Sequence, residues 1–426
     1  MRRWLVVCGV FSACTGLVAE LPEVVLVPAA DAGASTVHDA GSDAGSTPPP
    51  DAGSSIDAGA TDLDAGAYFR PNPLLSLGAP VVASSSTAST VAKAFDNRLD
   101  TGDWEGPPPG ANDSISDMWV RVQIGSGTPC VGPSQVLLVW SSLGNPDYTI
   151  ERAVNYNSPT GYTIETSSDG MSWTTAVSVD DSTTTYRSRS HRFDTAGKCF
   201  VRFTVTRMAT GQSGRRPRLA EVALYDVSNG NDDTWIFLGN GPSRFAYDGH
   251  FHPGFSAAVT RRHPRYTPAV IDAAELPGSL DFLLGAIDDA LLLNPGMHHW
   301  VIAAGLEELS AGVTPAQAQF KPRLATLIQR IKSAGHEPML VKLRYSTASQ
   351  FARASDYNAI IDQLVAEHGL TPAPDLYTFF ATHHELLCSS TSDCEPQWMG
   401  ISPSDPDGYI AENQQWADAL DAHYAP

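Results

Sequence analysis

The sequence is read as two folded parts of different class: an antiparallel β-sandwich over residues 71–228 and a three-layer α/β domain with a parallel sheet over residues 231–426. Three observations predict this. A chain of 426 residues exceeds what one ordinary core holds. Its first folded part carries short runs of alternating character, "WVRVQIG", "QVLLVWSS", "GYTIETSSDGMSW", "YRSRSHRFD", "CFVRFTVTR" and "LAEVALYDV", separated by Gly, Asn, Asp, Ser and Pro, which is the pattern of an antiparallel sandwich. From Asn231 the pattern changes. Apolar runs fit for buried parallel strands, "TWIFLG", "HHWVIAAG" and "EPMLVKLRY", alternate with "GSLDFLLGAIDDALLL" and "QFKPRLATLIQRIKSAG", where apolar residues recur at helical spacing. Such α/β domains place their sites at the carboxyl ends of the strands.

The elements follow in chain order. Residues 1–19 combine a basic start, a short apolar run and small residues near Cys14, an export signal too short to span a bilayer. The tetrad "FSAC" resembles a bacterial lipoprotein signal, which implies lipidation of Cys14, although Phe11 departs from the usual leucine; the alternative is plain secretion with cleavage after Ala19. Both readings place the protein outside the cytoplasm, as an outer-membrane or cell-surface lipoprotein or as a secreted protein, with membrane contact only through a lipid anchor. Residues 20–70 are an acidic spacer. Asp-Ala-Gly recurs six times, beginning at Asp31, Asp39, Asp43, Asp51, Asp57 and Asp64. So few apolar side chains cannot offset the entropy of folding. The irregular intervals also lack the fixed register of a metal-binding repeat.

The formal charge of −20 argues against nucleic acid and anionic membrane surfaces as partners. Of the six cysteines, Cys8 and Cys14 belong to the signal. Cys130 and Cys199 then fall in one folded part and Cys388 and Cys394 in the other, which predicts one disulfide in each for an exported chain. The spacing does not suit structural zinc. "SSDGMSW" reads as a tight hairpin with Asp169-Gly170 at the turn.

"AFDNRLDTGDW", "WVRVQIG", "YTIETSSDGMSW", "VRFTVT" and "LAEVALYD" occur in an order that resembles the discoidin-like (coagulation factor 5/8 type C) jelly roll, a fold also used as a bacterial carbohydrate-binding module. One departure is Asn97, where that family usually has glycine. The resemblance implies a polysaccharide or glycoconjugate partner. It also implies a structural calcium near Asp96, Thr101 and Glu221, whose oxygen-only donors are those a hard cation takes; the same residues also read as local turn caps. Trp104 and Tyr148 are the candidate sugar-stacking aromatics, with burial in the core as the competing reading.

The second part resembles the SGNH (GDSL-type) hydrolase family in its opening strand and turn, its helix before "HHWVIAAG" and its closing "GISPSDPDGY". Such enzymes need an activated serine, an imidazole oriented by a carboxylate, and donors facing the developing oxyanion. Carried over position by position, family Gly-Asp-Ser falls on Gly239, Asn240 and Gly241, so glycine stands at the nucleophile position. The second-block glycine corresponds to Gly278, and Gly-x-Asn-Asp falls on Gly305 to Glu308, which puts Glu307 at the oxyanion asparagine. Asp-Gly-x-His-Pro falls on Met399 to Pro403, with Met399 and Ser402 at the acid and base. The expectation is therefore a degenerate cleft in a pseudo-esterase without catalytic residues at the family positions and without a catalytic cofactor. Ser243 is the fallback nucleophile, with His250, His252, His298, His299, His383 and His384 as the bases available to it. Three functions compete: a glycan-binding surface protein, a carbohydrate esterase with relocated residues, and a structural envelope protein.

Overall fold

A computed structural model describes residues 68–84, 91–98, 103–142, 158–180, 188–208, 216–239, 254–273, 279–390, 399–404 and 406–425. All of them lie in one compact unit, Ala60–Pro426.

Strands β1 (Val81–Ala83), β2 (Trp104–Glu105), β3 (Trp119–Gln123), β4 (Gln135–Ser141), β5 (Pro159–Ser167), β6 (Thr174–Asp180), β7 (Ser188–Asp194), β8 (Phe200–Met208), β9 (Arg218–Leu219) and β10 (Glu221–Asp226) build the first part. They form antiparallel sheets in the orders β1-β3-β8-β5-β6 and β10-β4-β7, with a β2-β9 ribbon. Inward residues of both larger sheets, among them Val120, Phe203, Tyr162, Leu138, Trp140 and Leu224, share one apolar core. Cys130 and Cys199 are joined in a disulfide, as their count predicts. At the β5-β6 hairpin, Asp169 Oδ1 accepts from the amides of Met171 and Ser172 and Gly170 takes φ +72°. The turn is where the sequence places it, but β5 ends at Ser167 and β6 begins at Thr174, so the loop is longer than a tight two-residue turn.

Strands β11 (Thr234–Gly239), β12 (Ala269–Ala273), β13 (His299–Ala303) and β14 (Glu337–Leu340) form a parallel sheet in the order β12-β11-β13-β14. The chain moves outward from β11 to β12 and then crosses back to β13 on the other side. The reversal makes the gap between β11 and β13 the topological switch point. Side chains of β11 alternate between two cores: Ile236 and Leu238 face the helices Leu280–Leu293, Phe320–Ser333 and Ala354–His368, while Trp235 and Phe237 face Phe255–Arg262, Leu376–Thr382 and Asp407–Leu420. This is the three-layer arrangement. Within Phe320–Ser333 the buried residues are Phe320, Leu324, Leu327, Ile328 and Ile331, one apolar stripe at helical spacing. Ser279 caps the helix Leu280–Leu293 by accepting from the Phe282 amide.

Beyond β14, Thr371 donates to Glu337 and Lys342 pairs with Asp375, so residues 371–375 run alongside this strand without a ladder. Pro372 and Pro374 lack the amide hydrogens that pairing needs.

The two parts share a core. Leu137, Val139, Ala223, Tyr225 and Val227, on the outer face of the β10-β4-β7 sheet, belong to the same cluster as Ile236, Ile271, Ile287 and Trp300. Strand β4 is thus buried on both faces, and the run "QVLLVWSS" is nearly continuous in apolar residues rather than alternating. Gly296 permits the contact, because a Cβ there would lie 2.3 Å from Leu137 Cδ1. The expected spacer boundary at residue 70 also moves: Phe69 is buried in the α/β core, its amide donating to the His423 carbonyl at 2.7 Å. Among the described residues, no helix is long and apolar enough to cross a membrane.

Candidate functional site

The carboxyl edge of the parallel sheet is where the sequence places the cleft. Gly239 closes β11 with φ +97°, and a Cβ on it would stand 2.1 Å from the Ala303 carbonyl oxygen of β13. Gly305, with φ +102°, would drive a Cβ to 2.9 Å from the Phe320 ring. Both glycines are imposed by sterics at the switch point, independently of any reaction. Glu307 sits half-buried in the first turn of the short helix Leu306–Ser310, directly after Gly305. Its neighbour Glu308 accepts from the Leu280 amide at 2.8 Å and so caps another helix.

The segment after β14 completes this edge. Asn358 mimics a ladder by accepting from the Leu343 amide at 2.8 Å and donating to its carbonyl at 2.9 Å. Arg344 and Glu412 form a buried bidentate pair at 2.7 and 2.6 Å. Thr347 donates to the Gly400 carbonyl at 3.0 Å, which ties Met399 and Gly400 to the loop. Ser402 is only 2% exposed, and its carbonyl accepts from the Cys388 amide at 2.8 Å. Its burial makes it a framework residue. Cys388 is itself disulfide-bonded.

The fallback bases separate. His298 and His299 lie at the amino end of β13, and a rise of about 3.3 Å per residue puts His299 roughly 13 Å from Ala303 at the carboxyl end. His383 stacks on Phe379 beyond the helix Leu376–Thr382. Among the described residues, the histidine–carboxylate contacts are His263 with Asp421, and His298 and His299 with Glu337. None of these histidines follows a parallel strand at its carboxyl end. Asn240, Gly241, Ser243, His250, His252, Gly278 and Cys394 lie outside the described residues, as do Cys14, Thr101 and Tyr148.

In the sandwich, Asp96 and Glu221 meet. The Arg98 amide lies 3.0 Å from Asp96 Oδ1 and 3.3 Å from Glu221 Oε2. Burial, reinforced by the Asp96 charge, pushes the Glu221 carboxyl well above the usual range. Asn97 takes φ +58°, the left-handed conformation that glycine occupies most readily and asparagine tolerates. Trp104 corrects the expectation of an exposed stacking platform: it is 0% exposed and packs in the sandwich core.

A set of ionisable side chains that the sequence did not bring together lies at the amino edge. His299 is stacked on Trp235 at 4.0 Å, and burial pushes its imidazole down to about 3. Asp233, fully buried just before β11, accepts from Trp235 Nε1 at 3.0 Å and from the Tyr424 hydroxyl at 2.8 Å; burial raises its carboxyl to about 7. The signal for this set is an acid, Glu337, opening an apolar strand opposite the pair "HH".

No protein family and no curated protein matches the chain. Among solved structures, it is similar to a lipase/acylhydrolase from Enterococcus faecalis, at 19% identity and TM-score 0.35 over 45% of this chain and 97% of that one. A family 32-type carbohydrate-binding module from a Clostridium perfringens family 31 glycoside hydrolase aligns at 15% identity and TM-score 0.26, over 34% and 88% of the two chains. A Bacillus subtilis protein aligns at 12% identity and TM-score 0.38, over 86% and 95%.

Proposed function

We propose that the chain is an exported glycan-binding protein whose SGNH-like α/β domain is a pseudo-esterase. The observation that carries the reading is the carboxyl edge. Its switch-point glycines are kept by steric need, whereas Glu307, Met399 and the buried Ser402 stand where a neutral donor, an acid and a base are required. With glycine at position 241 as well, the family positions offer no nucleophile. Binding of a polysaccharide is assigned to the discoidin-like sandwich on the order of its five sequence motifs.

The test is acetate release from acetylated xylan and from an aryl acetate by the full chain, since the two parts share a core. The expected result is no release above buffer, together with binding on a glycan array. Release abolished by Ser243→Ala would replace this reading with its alternative, a carbohydrate esterase with relocated residues. Absence of both turnover and glycan binding would leave the structural envelope protein.

The same reading includes a structural calcium in the sandwich. Asp96 and Glu221, two carboxylates converging on one backbone amide with Glu221 buried, fit a hard cation in their donor chemistry; Thr101, outside the described residues, is implied by the resemblance alone. Chelation with EGTA is expected to lower Tm, and Glu221→Gln to remove the effect.

A further inference from the structure

We infer that His298, His299 and Glu337 bind a divalent transition-metal ion of the zinc type at the amino edge of the parallel sheet, with a fourth position open to solvent.

The backbone brings the set together. His299 pairs with Glu337 in the parallel β13-β14 register, so their side chains emerge on the same face. His298 directly precedes the strand, its carbonyl accepting from the Glu337 amide at 2.9 Å, and its ring stands at 85° to that of His299 with centroids 4.6 Å apart. One ligand atom from each of the three lies within 4.8 Å of the others.

The distances are long for hydrogen bonds and near those of ligation. Glu337 Oε2 lies 3.4 Å from His299 Nδ1 and 3.6 Å from His298 Nε2. Both exceed the usual N–H···O length of about 3.2 Å. The 3.4 Å separation matches the edge of a tetrahedron, because bonds of about 2.0–2.1 Å to zinc set neighbouring ligand atoms roughly 3.3–3.4 Å apart, and the 3.6 Å separation lies slightly beyond it. No hydrogen bond of normal geometry reaches His298 Nε2 or His299 Nδ1, the ring atoms that face Glu337, and the His299 side chain is 2% exposed. Buried polar atoms left in this state are costly unless something else engages them.

A supporting shell surrounds the three. Thr371 donates to Glu337 Oε1 at 2.6 Å, which leaves Oε2 directed at both imidazoles. The Asp232 carbonyl acts on the His299 ring, and Trp235 stacks on it at 4.0 Å. Metal-ligating histidines and carboxylates are usually fixed by contacts of this kind. Two nitrogens and one oxygen favour zinc-type ions over calcium or magnesium. Side-chain exposures of 28% for His298 and 21% for Glu337 provide the entry path.

The experiment titrates the chelator-stripped full chain with zinc chloride by calorimetry, repeats the titration with cobalt(II) while recording its visible spectrum, and follows Tm with and without zinc. The expected result is a site filled by one ion per chain, a cobalt spectrum of tetrahedral intensity, and a zinc-dependent rise in Tm. His298→Ala and Glu337→Gln each abolish that site. Thr371→Val keeps all three ligands and weakens binding about tenfold. His298→Ala alters a partly exposed side chain, and its melt without zinc confirms that it folds. The inference is overturned if the wild type binds no zinc, or if His298→Ala and Glu337→Gln bind it as the wild type does; the cluster is then an ordinary histidine–carboxylate charge pair.

Discussion

At the carboxyl edge of the parallel sheet Arg344 and Glu412 form a buried pair, and the described turns at Gly239 and Gly305 are glycines held by sterics. At the amino edge Asp233, His299 and Glu337 gather ionisable atoms that hydrogen bonding satisfies only in part. Among the described residues, one sheet thus presents an edge where the largest buried charges pair with each other, and an edge where buried ionisable atoms are left without partners.

The comparison can be broken most severely at Gly239. Gly239→Ala forces a Cβ onto the Ala303 carbonyl at a positive φ, and the expected loss is about 4 kcal/mol or more, read as the absence of a cooperative transition in circular dichroism. Glu412→Gln leaves the buried Arg344 guanidinium without its counter-charge, and urea unfolding is expected to show a loss of about 3 kcal/mol. At the other edge the expected effect depends on pH. Asp233 holds its proton to about pH 7 when folded and releases it near the ordinary carboxylate value when unfolded. Between those values the native state binds the extra proton, so raising the pH favours unfolding. Asp233→Asn keeps an oxygen for Trp235 and Tyr424 and is expected to raise Tm by a few degrees at pH 8, with little change at pH 4. The smallest effect is expected for Ser402→Ala, about 1 kcal/mol or less in stability and no change in ester turnover. A turnover lost with Ser402 would return chemistry to the carboxyl edge.

Much of the architecture was legible because it is written in local periodicity. The parallel strands, the stripe Phe320–Ile331 and the Ser279 cap follow from spacing that any window of the sequence contains. Asn97 was visible as a departure, and its left-handed backbone supplies the reason. Trp104 was ambiguous, since an aromatic in a polar stretch reads equally as a platform or as core, and only the packing of both sheets decides. Strand β4 misled for a related reason: alternation was read into a run whose second face is covered by another part of the chain. The amino-edge set was hidden by distance in sequence. His299 and Glu337 become neighbours only through parallel register, which no local pattern encodes.

The continuous core makes the sandwich and the α/β layers one unit without a seam between them. A cut near residue 230 would strip Leu137, Val139 and Tyr225 of the apolar partners supplied by Ile236, Ile271 and Trp300, and would leave both fragments with a raw face. Heating should melt sandwich and α/β layers in one step, so that a ligand gripping either half lends its stability to the whole. Exchange of the sandwich for a foreign module would have to import a matching outer face for Ile236, Ile271 and Trp300 to pack against.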